Sequence, residues 1–253
     1  MSLGEAIAIL LAGVAAGTIN TVVGSGTLIT FPTLLAFGVP PVTANVSNTV
    51  GLVPGSLSGA IGYRAELAGQ LRRIRVLGLA SLLGGAVGAG LLLWLPSKAF
   101  DAIVPALIAL GVLLVITGPA ISRRVAARAA TRGGIAEHGV WWVWPAVFAA
   151  GVYGGYFGAA QGVLLMAILG IGVADALQRH NATKNVLALI VNGVAAIVFI
   201  IKADVDWKIA GLIAAGSIVG GQLGATVGRR LPPAVLRAVI VVVGVVALVS
   251  FVL

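Results

Sequence analysis

Cysteine is absent from this 253-residue chain. That excludes disulfides, thiol relays, iron–sulfur clusters and thiolate zinc sites within it. Charge is scarce as well: Asp, Glu, Lys and Arg make up 9% of the residues, against about 25% in soluble proteins. So few charges cannot cover a water-facing surface of this size. Carboxylates are the scarcest, seven in all, and Glu5, Glu66, Asp101, Glu137, Asp175, Asp204 and Asp206 fall at or near the ends of apolar runs. A proton or sodium relay built on intramembrane carboxylates is therefore not expected. Catalytic patterns are missing too: there is no HExxH, no Walker loop, no carboxylate pair and no Ser-His-Asp set at workable spacing. The chain does not read as an enzyme, and no cofactor or metal is expected.

What is present is apolar. Hydrophobic residues make up 60% of the chain and the mean hydropathy is +1.13. Residues 6–63 hold no Asp, Glu, Lys or Arg, and a bilayer span needs about 20 apolar residues, so that stretch alone can enter a membrane more than once. The net charge of +9 sits in short loops between apolar runs, the pattern of cytoplasmic membrane loops, so nucleic acid is not the expected partner. The opening residues lack the basic stretch of a signal peptide and read as part of the first membrane segment.

The chain repeats itself, which sets the architecture. Gly13, Gly17 and Gly24 reappear as Gly151, Gly155 and Gly162, 138 residues on. Asn45 and Ser47 answer Asn181 and Thr183 at a spacing of 136, as Ser81, Gly84, Gly85 and Gly88 answer Ser217, Gly220, Gly221 and Gly224. The division is an N-terminal membrane repeat over 1–118, a basic linker over 119–139 and a C-terminal membrane repeat over 140–253. Each half reads as one broken segment, 5–37 or 141–170, followed by three spans: 44–63, 74–94 and 101–119, then 183–201, 208–227 and 234–252. The breaks are NTVVGSG at 20–26 and GGYFGAAQG at 154–162. Such backbone at membrane depth is tolerated only inside protein or beside water.

Loop charge chooses how the broken segments run. If each crosses once, Lys and Arg divide ten to six between the two sides; if each is a re-entrant hairpin, they divide 13 to three. The positive-inside rule favours the sharper split. The expected fold is thus an all-α integral membrane protein whose halves form an inverted repeat, each with a Gly-interrupted re-entrant segment and three transmembrane helices. Residues 64–75 and 119–139 are then cytoplasmic and both termini lie outside. The alternative is a parallel repeat with eight crossings.

Two sets of polar residues are candidate binding groups. Asn20, Thr21, Ser25 and Thr27 surround the first break, and Tyr156 and Gln161 flank the second. A helix restarting after glycine aims backbone N–H groups and a positive dipole end at the break, which suits a small anion. The competing reading is close helix packing. The second set is a polar stripe on the span after each break. Asn45, Asn48, Thr49 and Ser56 lie on the first, and Asn181, Thr183, Lys184, Asn185 and Asn192 on the second. These stripes are expected to face the interior, either lining a cavity or bonding helix to helix. Lys184 either turns inward to an anion or, five residues after Arg179, snorkels to the interface. His180 reads as an interfacial histidine.

The segment GVAAGTINTVVGSGTLITFPTLLAFGVPPVTANVSNTV resembles the opening of the TauE/SafE sulfite exporter family, through Gly24-Ser25-Gly26, Pro32, Gly38-Val39-Pro40-Pro41, Ala44 and Ser47. The second half resembles the family's second copy through Gly151, Gly155, Gly162 and NATKN at 181–185. The resemblance implies a multi-pass inner-membrane exporter of sulfite, a sulfonate or another small anion, with the lipid bilayer around it. Asn20 and Ser25 make the first break more polar than is usual in that family. A homodimer is compatible with this plan and not required by it. A passive anion channel and a non-transporting accessory protein remain the other classes.

Overall fold

The computed structural model describes residues 1–131 and 140–227, together with 238, 240–243 and 245. The described residues form helices α1 (Leu3–Val22), α2 (Thr27–Ala36), α3 (Pro41–Gly62), α4 (Leu71–Trp94), α5 (Ser97–Thr131), α6 (Val143–Tyr156), α7 (Gln161–Gly172), α8 (Leu177–Lys202) and α9 (Trp207–Thr226), with a short 3-10 turn at Arg64–Leu67. No strand occurs among them. Local chemistry sets several starts. Ser2 and Glu5 cap α1 reciprocally, Pro41 opens α3 in the first turn, where a missing N–H costs nothing, and the Asp206 carboxylate accepts from the Lys208 and Ile209 N–H groups to cap α9.

Five described helices are long and apolar enough to cross a bilayer: α1, α4, α5 over Ser97–Gly118, α8 and α9. The expected spans at 74–94, 101–119, 183–201 and 208–227 lie on the last four. The expected span at 44–63 is the 22-residue helix α3, whose buried Asn, Ser and Thr stripe leaves it outside that group. The span at 234–252 falls almost wholly outside the described residues. Each broken segment is two helices with a break between, but the halves differ: α1 has 20 residues, enough to cross alone, and α6 has 14. Helix α5 continues to Thr131, so the first part of the expected linker is helical, and 132–139 lie outside the described residues. Leu79, Leu82, Val87, Ile197, Ile201, Ile218 and Val219 are exposed on the outer faces of α4, α8 and α9, where acyl chains replace water. Trp94 and Trp207 are exposed at helix ends, the usual depth of interfacial aromatics.

The helices pack crosswise. α1 lies along α9 and α6 along α4, while α3 packs on both α9 and α8. Each half thus lays its first helix against the other half's fourth element. Small residues permit this. A Cβ on Gly17 would sit 2.5 Å from the Ser217 carbonyl oxygen, and one on Gly13 3.0 Å from that of Ile213. The repeat-equivalent Gly151 and Gly155 press on Gly84 and Gly85 in the same way. Hydrogen bonds follow the repeat as well. Ser47 Oγ accepts from the Asp206 N–H at 2.9 Å, and its equivalent Thr183 Oγ1 donates to Gln70 Oε1 at 2.7 Å. Ser217 Oγ donates to the Gly51 carbonyl at 2.9 Å and Gln222 to that of Ser58 at 2.8 Å, stitching α9 to α3.

One ion cluster ties the halves together at the start of α4. Arg73 Nη1 donates to Asp175 Oδ2 at 2.6 Å and Arg179 Nε to Asp175 Oδ1 at 2.7 Å. Arg73 also donates to Gln70 Oε1 at 2.7 Å. Burial opposes ionisation of Asp175. The hydrogen bonds from Arg73 and the Ala176 N–H, with the charges of Arg73 and Arg179, outweigh burial and hold its carboxyl below the usual carboxylate value.

Two outcomes follow from this packing. Gly220 has no room for a methyl group beside the Val14 carbonyl, so Gly220→Ala is expected to cost about 2 kcal/mol. Gly90 meets nothing within 4 Å, so Gly90→Ala is expected to be neutral or to stabilise by up to about 1 kcal/mol. Thermal unfolding in detergent compares them. Asp175→Asn is expected to cost about 3 kcal/mol at neutral pH. A carboxyl whose folded pKa is depressed stabilises above that value and stops doing so as the pH falls through it. The gap between wild type and Asp175→Asn should therefore close in acid, and a gap that persisted there would show that charge is not its source.

Candidate functional site

The two breaks meet. Gly24, at φ +92°, carries the chain out of α1, a conformation that side chains rarely tolerate. Its carbonyl accepts from the Gly162 N–H at 3.0 Å, and a Cβ on either glycine would overlap the backbone of the other. Gly24 and Gly162 are the repeat-equivalent residues of the two breaks, so the contact joins the halves at matching points. A second such contact lies between α3 and α8, where Asn192 Nδ2 donates to Ser56 Oγ at 3.3 Å. These positions are also repeat partners, 136 apart.

Around this crossing the helix ends are satisfied by side chains from the opposite half. The last carbonyls of a helix have no partner within it. At the end of α6, the Tyr156 carbonyl accepts from Asn45 Nδ2 at 2.9 Å. At the end of α1, the Asn20 and Thr21 carbonyls each accept from Lys184 Nζ at 3.0 Å, and Thr21 also accepts from Asn185 Nδ2 at 3.3 Å. Lys184 is completely buried and lies within α8, so it does not snorkel. It also leaves the loop-charge count, which becomes twelve to three for re-entrant segments and nine to six for segments that each cross once. The carboxyl end of α1 carries a partial negative charge, and that is the field in which its ammonium sits. No ion pair to Lys184 occurs among the described residues.

The remaining candidates divide. Asn48 accepts from Thr30 Oγ1 and donates to Thr27 Oγ1 at 3.3 Å, joining α3 to the start of α2. Thr49 bonds back to the Asn45 carbonyl at 2.9 Å within its own helix. Thr183 is held by Gln70 and by the Arg179 carbonyl at 3.0 Å, at the ion cluster rather than at a break. Ser25, Asn45, Gln161 and Asn181 are buried, and Ser25 Oγ, Asn45 Oδ1, Gln161 Nε2 and Asn181 Oδ1 have no hydrogen-bond partner among the described residues. Ser25 follows Gly24 and Gln161 precedes Gly162, so two of these groups adjoin the crossing directly. An unpaired buried polar group costs about 1–3 kcal/mol, and the Ser25 hydroxyl and Gln161 amide beside the crossing mark a surface suited to a polar ligand. Both α2 and α7 start here, bringing two positive dipole ends to it.

Sequence reasoning passed over Thr30, which lies one turn into α2 and, like Thr27, bonds Asn48 of α3. It also missed the Arg73–Asp175–Arg179 cluster, whose only sequence signal is Asp175 four residues before Arg179. The role of the Tyr156 carbonyl has no side-chain signal.

The profile of the family described as "Sulfite exporter TauE/SafE" matches residues 9–251. A probable membrane transporter protein of Haemophilus influenzae is 27% identical over 231 residues, covering 91% of this chain and 88% of its own. The probable membrane transporter protein ORF9 of Sinorhizobium sp is 26% identical, covering 94% and 88%. The probable membrane transporter protein YfcA of Escherichia coli K12 is 24% identical, covering 90% and 82%. No solved structure gives a significant match. With the profile spanning nearly the whole length and the apolar helices in place, this chain is a multi-pass membrane protein that belongs to the TauE/SafE sulfite exporter family of transporters.

Proposed function

We propose that this protein exports a small sulfur-containing anion, sulfite or an organosulfonate, across the bacterial inner membrane. The observation that carries the reading is the crossing at Gly24 and Gly162. Two broken segments meet there, two helix N-termini start there, and the buried donors Ser25 Oγ and Gln161 Nε2 beside it lack hydrogen-bond partners among the described residues. Glycine-interrupted segments in matching positions of two halves are the pattern by which secondary transporters build a binding site. Amide and hydroxyl donors, helix N-termini and one buried ammonium replace the hydration of a small oxyanion without holding it permanently.

The threading that supports export is an inverted repeat of residues 1–118 and 140–253 around the basic segment 119–139, with both termini outside. The twelve-to-three charge division favours it. Drive comes from the anion's own gradient and the membrane potential, worth about 2.3 kcal/mol per charge per 100 mV and directed outward for an anion. Because no carboxylate lies mid-span, no proton or sodium relay is assigned.

Flux of sulfite and of short sulfonates into proteoliposomes is expected to saturate and to accelerate with a potential that draws anions in. Ser25→Ala and Gln161→Ala, which remove the two unpaired donors beside the crossing, should each weaken apparent affinity about tenfold or more, as expected for hydrogen bonds to a charged ligand. Flux no faster than in empty liposomes overturns the substrate. A strict sodium or proton requirement without voltage response overturns the mechanism, and single-channel currents would assign a channel. A C-terminal reporter fusion found in the cytoplasm overturns the inverted threading.

A further inference from the structure

Both breaks are capped at a helix carboxyl end by side chains of the opposite half, and the caps differ in charge. The carboxyl end of α6 receives a neutral amide, Asn45 Nδ2 on the Tyr156 carbonyl. The carboxyl end of α1 receives a neutral amide, Asn185, and in addition the Lys184 ammonium on both the Asn20 and Thr21 carbonyls. The repeat partner of Lys184 is the neutral Asn48, which caps no carbonyl and binds the threonines of α2 instead. The α6 break shows that an amide suffices to satisfy a carbonyl here. The charge at α1 therefore answers to something other than hydrogen-bond satisfaction, since a lysine within a span costs about 2.5–3.5 kcal/mol on insertion scales.

The geometry is that of an ion site. In broken-helix transporters, unwound carbonyls and half-helix carboxyl ends hold the coupling cation. Here Val23 and Gly24 both turn their N–H groups back to the Ile19 carbonyl, leaving the Asn20 and Thr21 carbonyls available as a pair. A cation between them meets two carbonyl dipoles and the negative end of α1. An ammonium has three donors. Two are spent on this pair.

We propose that the carboxyl end of α1 is a seat for a monovalent cation, filled in this chain by the tethered ammonium of Lys184, which makes the countercharge of the transported anion part of the protein. The consequence for coupling rests on the reading of the crossing as the transport site, whereas the seat itself does not. Lys184→Ala should then open the seat to a free cation.

The test is thermal unfolding of purified wild type and Lys184→Ala in choline, sodium and methylammonium chlorides at equal ionic strength. Wild type should not distinguish the salts. Lys184→Ala should unfold lower in choline and gain about 3 °C or more in sodium or methylammonium at roughly ten times its Kd. In proteoliposomes, anion flux lost in choline should return with the cation that restores stability. Lys184→Gln keeps an amide donor, as Asn45 does at α6, and serves where the alanine variant does not fold in choline. It should fold and lose anion flux. Lys184→Ala indifferent to all three cations, or Lys184→Gln with wild-type flux in choline, overturns the proposal. If a cation stabilises Lys184→Ala while neither protein moves a sulfur anion, the seat stands and the substrate reading falls. If wild type moves sulfite and no cation affects Lys184→Ala, the reverse holds.

Discussion

Backbone groups away from water have to be paired, and the fold is organised around the places where the helices cannot pair their own. A continuous helix satisfies itself in hydrocarbon, and a broken one does not. Each break in this chain exposes carbonyls at the end of one helix and N–H groups at the start of the next. The carbonyls are met by the opposite half: Asn45 of α3 reaches the end of α6, and Lys184 and Asn185 of α8 reach the end of α1. Neither break is stable without the other half in place. The N-terminal ends of α2 and α7 are left facing the crossing, where a ligand can use them.

The crossing also dictates composition. For two backbones to touch at Gly24 and Gly162, the helices that carry them must lie close to α9 and α4, and glycine is what permits that approach along both seams. The 36 glycines of the chain thus do two different jobs. A few, such as Gly24 and Gly158, adopt positive φ where the chain turns. More of them only remove a side chain so that a neighbouring carbonyl can pass.

Much of this was readable beforehand, because the repeat leaves marks in residue order. The two breaks, the polar stripes on α3 and α8 and four of the described spans follow from glycine spacing, hydropathy and the cost of burying amides. The partners of Lys184 were not readable, since main-chain carbonyls carry no letter in a sequence, and a lysine five residues from an arginine looks the same whether it turns in or out. The length of α1 was obscured because Asn20 and Thr21, its last polar residues, looked like part of the break. The helical continuation of α5 to Thr131 was hidden by its arginines, which read as a linker although arginine favours helix.

The crosswise packing of α1 on α9 and α6 on α4 governs how the protein is made. Helix α1 leaves the ribosome first, yet the surface it packs on is completed only when α9 has been synthesised, some 200 residues later. Until then its glycine face has no protein partner, and the carbonyls at its end wait for Lys184 and Asn185 of α8. Contacts this distant in sequence form slowly, and intermediates that wait for them expose unpaired surface. A chain truncated before Trp207 would keep the groups that close its breaks and leave the glycine face of α1 uncovered. Quality-control proteases of the membrane would therefore meet this protein chiefly during its synthesis, in the interval before the last helices arrive.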